Sequence, residues 1–218
     1  MKLLLTAATP QEIQPVVQYL QERMYLNSRH QIGVIITGVG MVSATYQLSK
    51  QLLKSRPEII IQAGIAGSFH LLHQPGTVVV VKDEVFGDMM AIENEEIKDL
   101  FDLNLVGWQD PPFINKKIVN THQHLLDKCR LPIVSGITVN QITTNEQQIH
   151  RLIKKYNPAV ESMEGAALHY VASLEKIPFL QLRSISNMVG ERDKTKWKIA
   201  TAIEVLNTEL ITIINKLI

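Results

Sequence analysis

Six short and nearly unbroken apolar runs recur along the chain: KLLLTAA (2–8), IGVIITG (32–38), EIIIQAG (58–64), TVVVVKD (77–83), LPIVSGI (131–137) and IPFLQLRSIS (177–186). A strand with one wet face alternates apolar and polar residues. These runs are apolar on both faces, so they predict strands of a central sheet covered by helices on each side. Helical periodicity fills the intervals, at Gln11–Leu26, Val42–Lys54, Glu146–Tyr156, Glu164–Glu175 and Lys196–Leu217. Pro10 near the first helix start and Pro57 before the third strand act as punctuation. Strands alternating with helices predict an α/β fold with a mostly parallel sheet, and no repeat or linker divides residues 1–218 into more than one domain.

With 45 % hydrophobic and 20 % charged residues, the composition is that of an ordinary globular protein. A net charge of +1 gives no field that favours nucleic acid or a membrane surface. The only cysteine, Cys129, excludes an internal disulfide and suits a reducing cytoplasm. No apolar run reaches the ~18 residues of a membrane span. The opening MKLLLTAATPQE turns polar too soon for a signal peptide and reads as a strand. A cytoplasmic location is therefore expected.

In sheets of this kind ligands sit outside the carboxyl ends of the strands. The segments leaving those ends are Thr9-Pro10-Gln11-Glu12 after the first strand, TGVGMVSA after the second, AGIAGSF after the third, TVNQITTNE after the fifth and NMVGERDKTKW after the last, with VESMEGAA before the final helix–strand pair. TGVGMVSA has two glycines of a dinucleotide fingerprint, but Ser43 replaces the third and Glu58 opens the next strand instead of closing it, so a tight strand-to-helix turn is the better reading. In AGIAGSF, Gly64 and Gly67 either serve turning alone or let main chain approach a ligand closely. The pairs His70/His73 and His122/His124 lack a third ligand, and no metal site is expected. The acidic stretch ENEEIKD (93–99) reads as a solvated helix start. Glu12 fits two roles, a helix-dipole partner or a base at the mouth of the sheet. Asn187 is a turn residue or a ligand amide, and Trp197 the apolar anchor of the last helix or a pocket wall.

Taken together, these positions resemble the nucleoside phosphorylase and nucleosidase superfamily over nearly the whole chain. MKLLLTAATPQE resembles its opening strand with a glutamate, TGVGMVSA its SGIGKVAA-type turn, QAGIAGSF its TGSAGG-type loop, AVESMEGAAL its AVEMEATA segment with one residue inserted, and RSISN its RAISD. Within the superfamily, ESMEGAA with SNMVGERDKTKW after it looks most like the futalosine hydrolases of the alternative menaquinone pathway. The resemblance implies a three-layer α/β fold with a central mixed, mostly parallel sheet, and N-ribosidic bond cleavage without metal or organic cofactor. It implies that Glu12 activates the attacking water, that Glu164 holds the ribose 2′ and 3′ hydroxyls, and that Met163 packs against the sugar. Ile65, Ala66 and Gly67 then lie beside ribose and base, Val139 falls where nucleosidases place an aromatic over the purine, Ser186 and Asn187 meet the purine N7 edge, and Trp197 forms a wall. A homo-oligomer, at least a dimer, is implied as well, with a small nucleoside as the only other partner.

The chemistry is coherent with that set. Breaking a glycosidic bond builds positive charge on the sugar, which a nearby anion stabilises more in the transition state than in the ground state. Relatives that use adenine nucleosides carry aspartic acid where Asn187 stands. An asparagine amide offers two donors, matching N7 and O6 of a 6-oxopurine, so hypoxanthine or guanine is the expected base. The arginines (23, 29, 56, 130, 151, 183 and 192) are absent from the glycine loops, which favours water over phosphate as nucleophile. For a carboxyphenyl group on the 5′ side, Phe86, Met89 and Met90 offer an apolar slot and Arg192 a cation, although core and surface roles explain them equally. Glu161 is expected to support its loop, and Asp193 to be solvated. Another purine nucleosidase or phosphorylase, or a non-catalytic nucleoside-binding module, are the alternatives.

Overall fold

The protein is described from a computed structural model over residues 1–24 and 31–218. In chain order its elements are β1 (Lys2–Ala7), α1 (Pro10–Met24), β2 (Gln31–Ile36), α2 (Met41–Lys54), β3 (Ile59–Ser68), β4 (Val78–Phe86), β5 (Met90–Glu93), β6 (Glu96–Asp99), β7 (Phe113–Ile114), β8 (Lys117–Val119), α3 (Gln123–Cys129), β9 (Ile133–Thr138), α4 (Glu146–Tyr156), β10 (Val160–Ser162), α5 (Gly165–Leu174), β11 (Phe179–Met188) and α6 (Ile199–Leu217). All six apolar runs are strands. The last two residues expected in the first helix, Tyr25 and Leu26, lie outside the described residues, as does Arg29.

The main sheet runs β2-β1-β3-β10-β9-β4-β8-β7, and β11 pairs with both β3 and β4. Those pairings close a ring through β3, β10, β9, β4 and β11, so the centre of the sheet curls into a barrel-like wall. The pairs β1–β2, β1–β3, β3–β11, β4–β9 and β9–β10 are parallel, while β3–β10, β4–β11, β4–β8 and β7–β8 are antiparallel. The sheet is thus mixed and mostly parallel, as expected. Period-2 alternation sorts its side chains into two cores. Leu3, Leu5, Ile59, Ile61, Leu180 and Leu182 face α1, α3 and α6, while Leu4, Ile60 and Phe179 face α2 and α5. Each such leucine contributes about 1.5–3 kcal/mol on burial.

ENEEIKD is not a helix start. It forms the β5–β6 hairpin, with Asn94 and Glu95 at φ of 49° and 66° in the turn. Two successive left-handed residues suit a two-residue hairpin connection. The strand also delivers Ile97 into the cluster with Val85, Ile137 and Leu152, a packing gain that local acidity does not reveal.

Candidate active site

Where β1, β3, β10 and β11 end, their loops enclose a cavity of ≈ 420 Å³, lined also by the start of α6. That is a small-molecule size. The first strand hands the chain to α1 through Thr9, and Glu12 three residues later bonds back to it: the Thr9 amide and hydroxyl both donate to Glu12 Oε2, at 2.9 and 3.1 Å. The bond from the Thr9 amide is the glutamate half of a capping box, with Pro10 at the first helical position. The other oxygen, Oε1, accepts from the Ile65 amide at 3.1 Å. Glu12 is therefore a cap and a cavity carboxylate at once, buried to 7 % exposure. Its own carbonyl accepts from Asn207 Nδ2 of α6 (2.9 Å), and Asn207 Oδ1 accepts from the Val16 amide (3.0 Å), on either side of Pro15.

Glu164 stands at the N-terminus of α5 and lines the same cavity. Its Oε1 accepts from the Gly40 amide at 2.9 Å, and its Oε2 lies 3.6 Å from Arg183 Nη1. Gly40 has φ of 92°, a left-handed turn that aims its N–H at the carboxylate, so TGVGMVSA turns tightly and also orients Glu164. Arg183, 1 % exposed, donates to Gln62 Oε1 (3.0 Å) and to the Ile65 carbonyl (3.4 Å). An arginine thus reaches the glycine loop in space although none does in sequence. A Cβ on Gly64 would stand 2.4 Å from Arg183 Nη1 and 2.9 Å from Glu12 Oε1, so the missing side chain lets guanidinium and carboxylate approach each other.

Of the residues singled out in the sequence, Glu12, Ile65, Ala66, Gly67, Met163, Glu164, Ser186, Asn187 and Trp197 all line the cavity. Val139 does not: it is fully buried, packed under Gly87, and Ile142 and Thr143 of the same loop face the cavity in its place. Phe86, Met89, Met90 and Arg192 also lie off the cavity lining. Phe86 packs on Phe113 and Tyr170, with centroids 6.1 and 6.2 Å away, and Met90 joins the Val85–Ile137 cluster. Met89 is exposed, and Arg192 rides on the Trp197 ring, 5.9 Å from its centroid. Asp193 is an exposed cap, accepting from the Thr195 amide and hydroxyl.

A bulge in β11 places Asn187. Ile185 pairs with Ala66 and Asn187 with Gly67, leaving Ser186 as the extra residue. Ser186 Oγ donates to Asn187 Oδ1 at 2.7 Å, and Asn187 Nδ2 donates to the Met188 carbonyl at 2.9 Å. One of its two N–H groups is therefore engaged. Only one remains for a ligand, and the expected pairing of both with N7 and O6 is not available in this arrangement.

Sequence reasoning passes over Arg183, Asn207 and the buried polar layer behind the site. A signal is present: Gln181 and Arg183 interrupt an apolar run. Glu84, fully buried, accepts from Gln181 Nε2 (2.9 Å) and Thr138 Oγ1 (3.0 Å), and Thr138 Oγ1 accepts from the Ala166 amide in the first turn of α5. Burial pushes the Glu84 carboxyl up to about 7. Burial also raises Glu161, against the Thr143 contacts that lower it. The lining contains four glutamates and no lysine, arginine or histidine among the described residues. No group of three histidine, cysteine or acidic residues suited to a metal occurs among them either, and no described helix is long and apolar enough to cross a membrane.

A family model described as the Phosphorylase superfamily matches residues 2–217. The 5′-methylthioadenosine/S-adenosylhomocysteine nucleosidase of Maridesulfovibrio salexigens is 30 % identical over 177 residues, covering 74 % of this chain and 70 % of that protein. The futalosine hydrolase of Acidothermus cellulolyticus is 28 % identical, covering 81 % of this chain and 73 % of its own length. The fold is that of the Helicobacter pylori 5′-methylthioadenosine/S-adenosylhomocysteine nucleosidase, with a TM-score of 0.81 at 16 % identity over 99 % of this chain and 98 % of that one.

Proposed function

The chain belongs to the phosphorylase superfamily, and from that premise we propose that it is a purine nucleosidase that cleaves the N-ribosidic bond of futalosine with water, releasing hypoxanthine and dehypoxanthine futalosine. One observation carries the N-ribosidase reading. Two buried carboxylates, Glu12 and Glu164, far apart in sequence and each fixed by backbone N–H donors, face one cavity whose described lining holds no cation.

Their placement accounts for the cleavage. As the bond from C1′ to the purine nitrogen breaks, its electron pair leaves with the base and the sugar becomes cationic. Glu164 retains lone pairs beyond those taken by Gly40, enough to accept from the vicinal ribose hydroxyls, and its charge stabilises the cation. Glu12 accepts the proton of a water that adds to C1′, with Thr9 and the Ile65 amide holding the carboxylate in place. The free N–H of Asn187 hydrogen-bonds N7 of the departing base, and the proton that base finally takes comes through water. The acidic lining opposes a phosphate nucleophile.

The futalosine assignment is supported by the ESMEGAA and SNMVGERDKTKW segments and by the futalosine hydrolase relatives. The 30 % identical relative favours a second reading, 5′-methylthioadenosine/S-adenosylhomocysteine hydrolysis. At least a dimer is part of the proposal, supported by Val34 and Ile36 on β2 and Val42, Tyr46 and Leu53 on α2, apolar side chains left exposed. A cytoplasmic location rests on the single thiol. Incubation with futalosine, inosine and 5′-methylthioadenosine, with and without phosphate, decides among these. Phosphate-independent hypoxanthine release from futalosine is expected; adenine release alone would give the second reading the case, and release only with phosphate would remove hydrolysis.

A further inference from the structure

Behind the cavity wall, Glu84 of β4 lies wholly buried between two glycines: a Cβ on either Gly136 or Gly165 would collide with its Oε1. The carboxyl group therefore presses on the chain one residue after Glu164. Glu164 is the N-cap residue of α5, yet its carboxylate makes no cap bond. The amide that an N-cap side chain would take, that of Ala166, donates instead to Thr138 Oγ1 at 2.8 Å, and Thr138 gives its own hydrogen to Glu84 Oε2 at 3.0 Å. Glu164 is thus left to bond the Gly40 amide and to face the cavity.

The partners on the other side call for a proton on Glu84. His169 Nδ1 lies 3.0 Å from the Ile118 carbonyl, which only accepts, so Nδ1 carries the hydrogen and Nε2 is a lone pair. His169 Nε2 and Gln181 Oε1 are both buried without a partner, and the Gln181 side chain adjoins the His169 ring. With Glu84 protonated and the Gln181 amide turned over, the Glu84 O–H donates to Gln181 Oε1 and Gln181 Nε2 faces the His169 lone pair. One proton and one turn give both orphaned atoms a partner. The charges agree with this. The titratable groups around Glu84 are Arg183 of β11, His169 of α5 and Asp83 beside it on β4, with Glu164 one residue before Gly165; β9 offers only Gly136 and Thr138. Burial holds His169 down at about 4, so it is neutral, and Asp83 is paired with Lys117 of β8. That leaves Arg183 as the one cation, and it lies 3.6 Å from Glu164 Oε2.

We propose that Glu84 is a positioning residue: in its protonated form it holds Thr138 against the first turn of α5 and so keeps the Glu164 carboxylate turned into the cavity. The inference rests on the reading that Glu164 acts on the sugar of a nucleoside. Glu84 lies outside the cavity lining and touches no substrate atom itself. Ionised Glu84 would compete with Glu164 for Arg183, so wild-type kcat should fall as pH rises through about 7.

The test uses whichever of futalosine, inosine and 5′-methylthioadenosine the wild type hydrolyses. Glu84→Gln has the shape and the hydrogen bonds of the protonated acid, so it should keep kcat within about threefold of wild type at about pH 6 and remove the fall above about pH 7. Glu84→Leu and the isosteric Thr138→Val should each lose about 10- to 100-fold in kcat through misplacement of Glu164. Infrared difference spectra, wild type minus Glu84→Gln at about pH 6, should show the carbonyl stretch of a protonated carboxyl group. A loss of kcat in Glu84→Gln equal to that in Glu84→Leu, wild-type kcat in folded Thr138→Val, or absence of the infrared band overturns the inference. If the wild type hydrolyses none of the three nucleosides, the hydrolase reading falls and the inference with it; hydrolysis together with any of those three results overturns the inference alone.

Discussion

Replacing Asn207 by alanine tests how the site is held from behind. Asn207 is 2 % exposed and supplies partners to two backbone groups of α1, the Glu12 carbonyl and the Val16 amide, beside the ring of Pro15. Pro15 removes one N–H from the helix ladder and crowds the carbonyl four residues before it, so this turn of α1 depends on outside help. Alanine leaves a donor and an acceptor in a dry place. At about 1–3 kcal/mol for each of the two stranded groups, the loss is roughly 2–6 kcal/mol. For a chain of this length that lowers Tm by about 4–24 °C. Urea denaturation of the wild type and variant, read by circular dichroism, gives the free-energy difference directly. Asn207→Asp should cost at least as much, because it sets a second acceptor against the Glu12 carbonyl. A loss below about 1 kcal/mol would show that the two backbone groups satisfy each other without the asparagine, and the reasoning would be refuted.

Gly64→Ala places a methyl group 2.4 Å from Arg183 Nη1 and 2.9 Å from Glu12 Oε1; turnover should fall by about a hundredfold from misplacement of the carboxylate, and a folded variant within twofold of wild type contradicts that. Glu84 is raised from 4.5 to about 7, chiefly by burial. The folded chain keeps a proton there that the unfolded chain has released, so this contribution to stability is full below about pH 4.5 and is lost as pH rises toward about 7, on the order of a few kcal/mol. Glu84→Gln should flatten that slope in urea titrations across the interval; parallel slopes would exclude Glu84 as its source. Burial pushes the Cys129 thiol up to about 11, so a thiol reagent at about pH 8 should label it only as fast as the chain unfolds. Rapid labelling of native protein would show that Cys129 is accessible.

The strands are legible in the sequence because apolar runs without alternation admit few placements other than a sheet covered on both sides. The cavity carboxylates Glu12 and Glu164 are legible because both occur in short segments with a recognisable order of residue types. Arg183 is not: whether a charge in a buried strand reaches a loop 118 residues earlier depends on pairing between β11 and β3, which local sequence does not encode. The same holds for Glu161, which comes to line the cavity only when β10 inserts between β3 and β9. The hairpin at ENEEIKD escapes a local reading because charge near a turn suits a helix start and a solvent-exposed hairpin alike; Ile97 and its tertiary contacts decide. Val139 stands in the expected loop, but the loop turns Ile142 and Thr143 toward the cavity and Val139 into the core.

The central claim is that Glu12 takes the proton of the attacking water at this cavity. Its most direct test is single-turnover release of free base by the Glu12→Gln variant under phosphate-free conditions, with binding of the same nucleoside measured in parallel. The rate should fall by about 10²–10⁴-fold, the usual worth of a positioned general base, while affinity changes by less than about threefold. Base release by a folded Glu12→Gln protein at close to the wild-type rate would contradict the account.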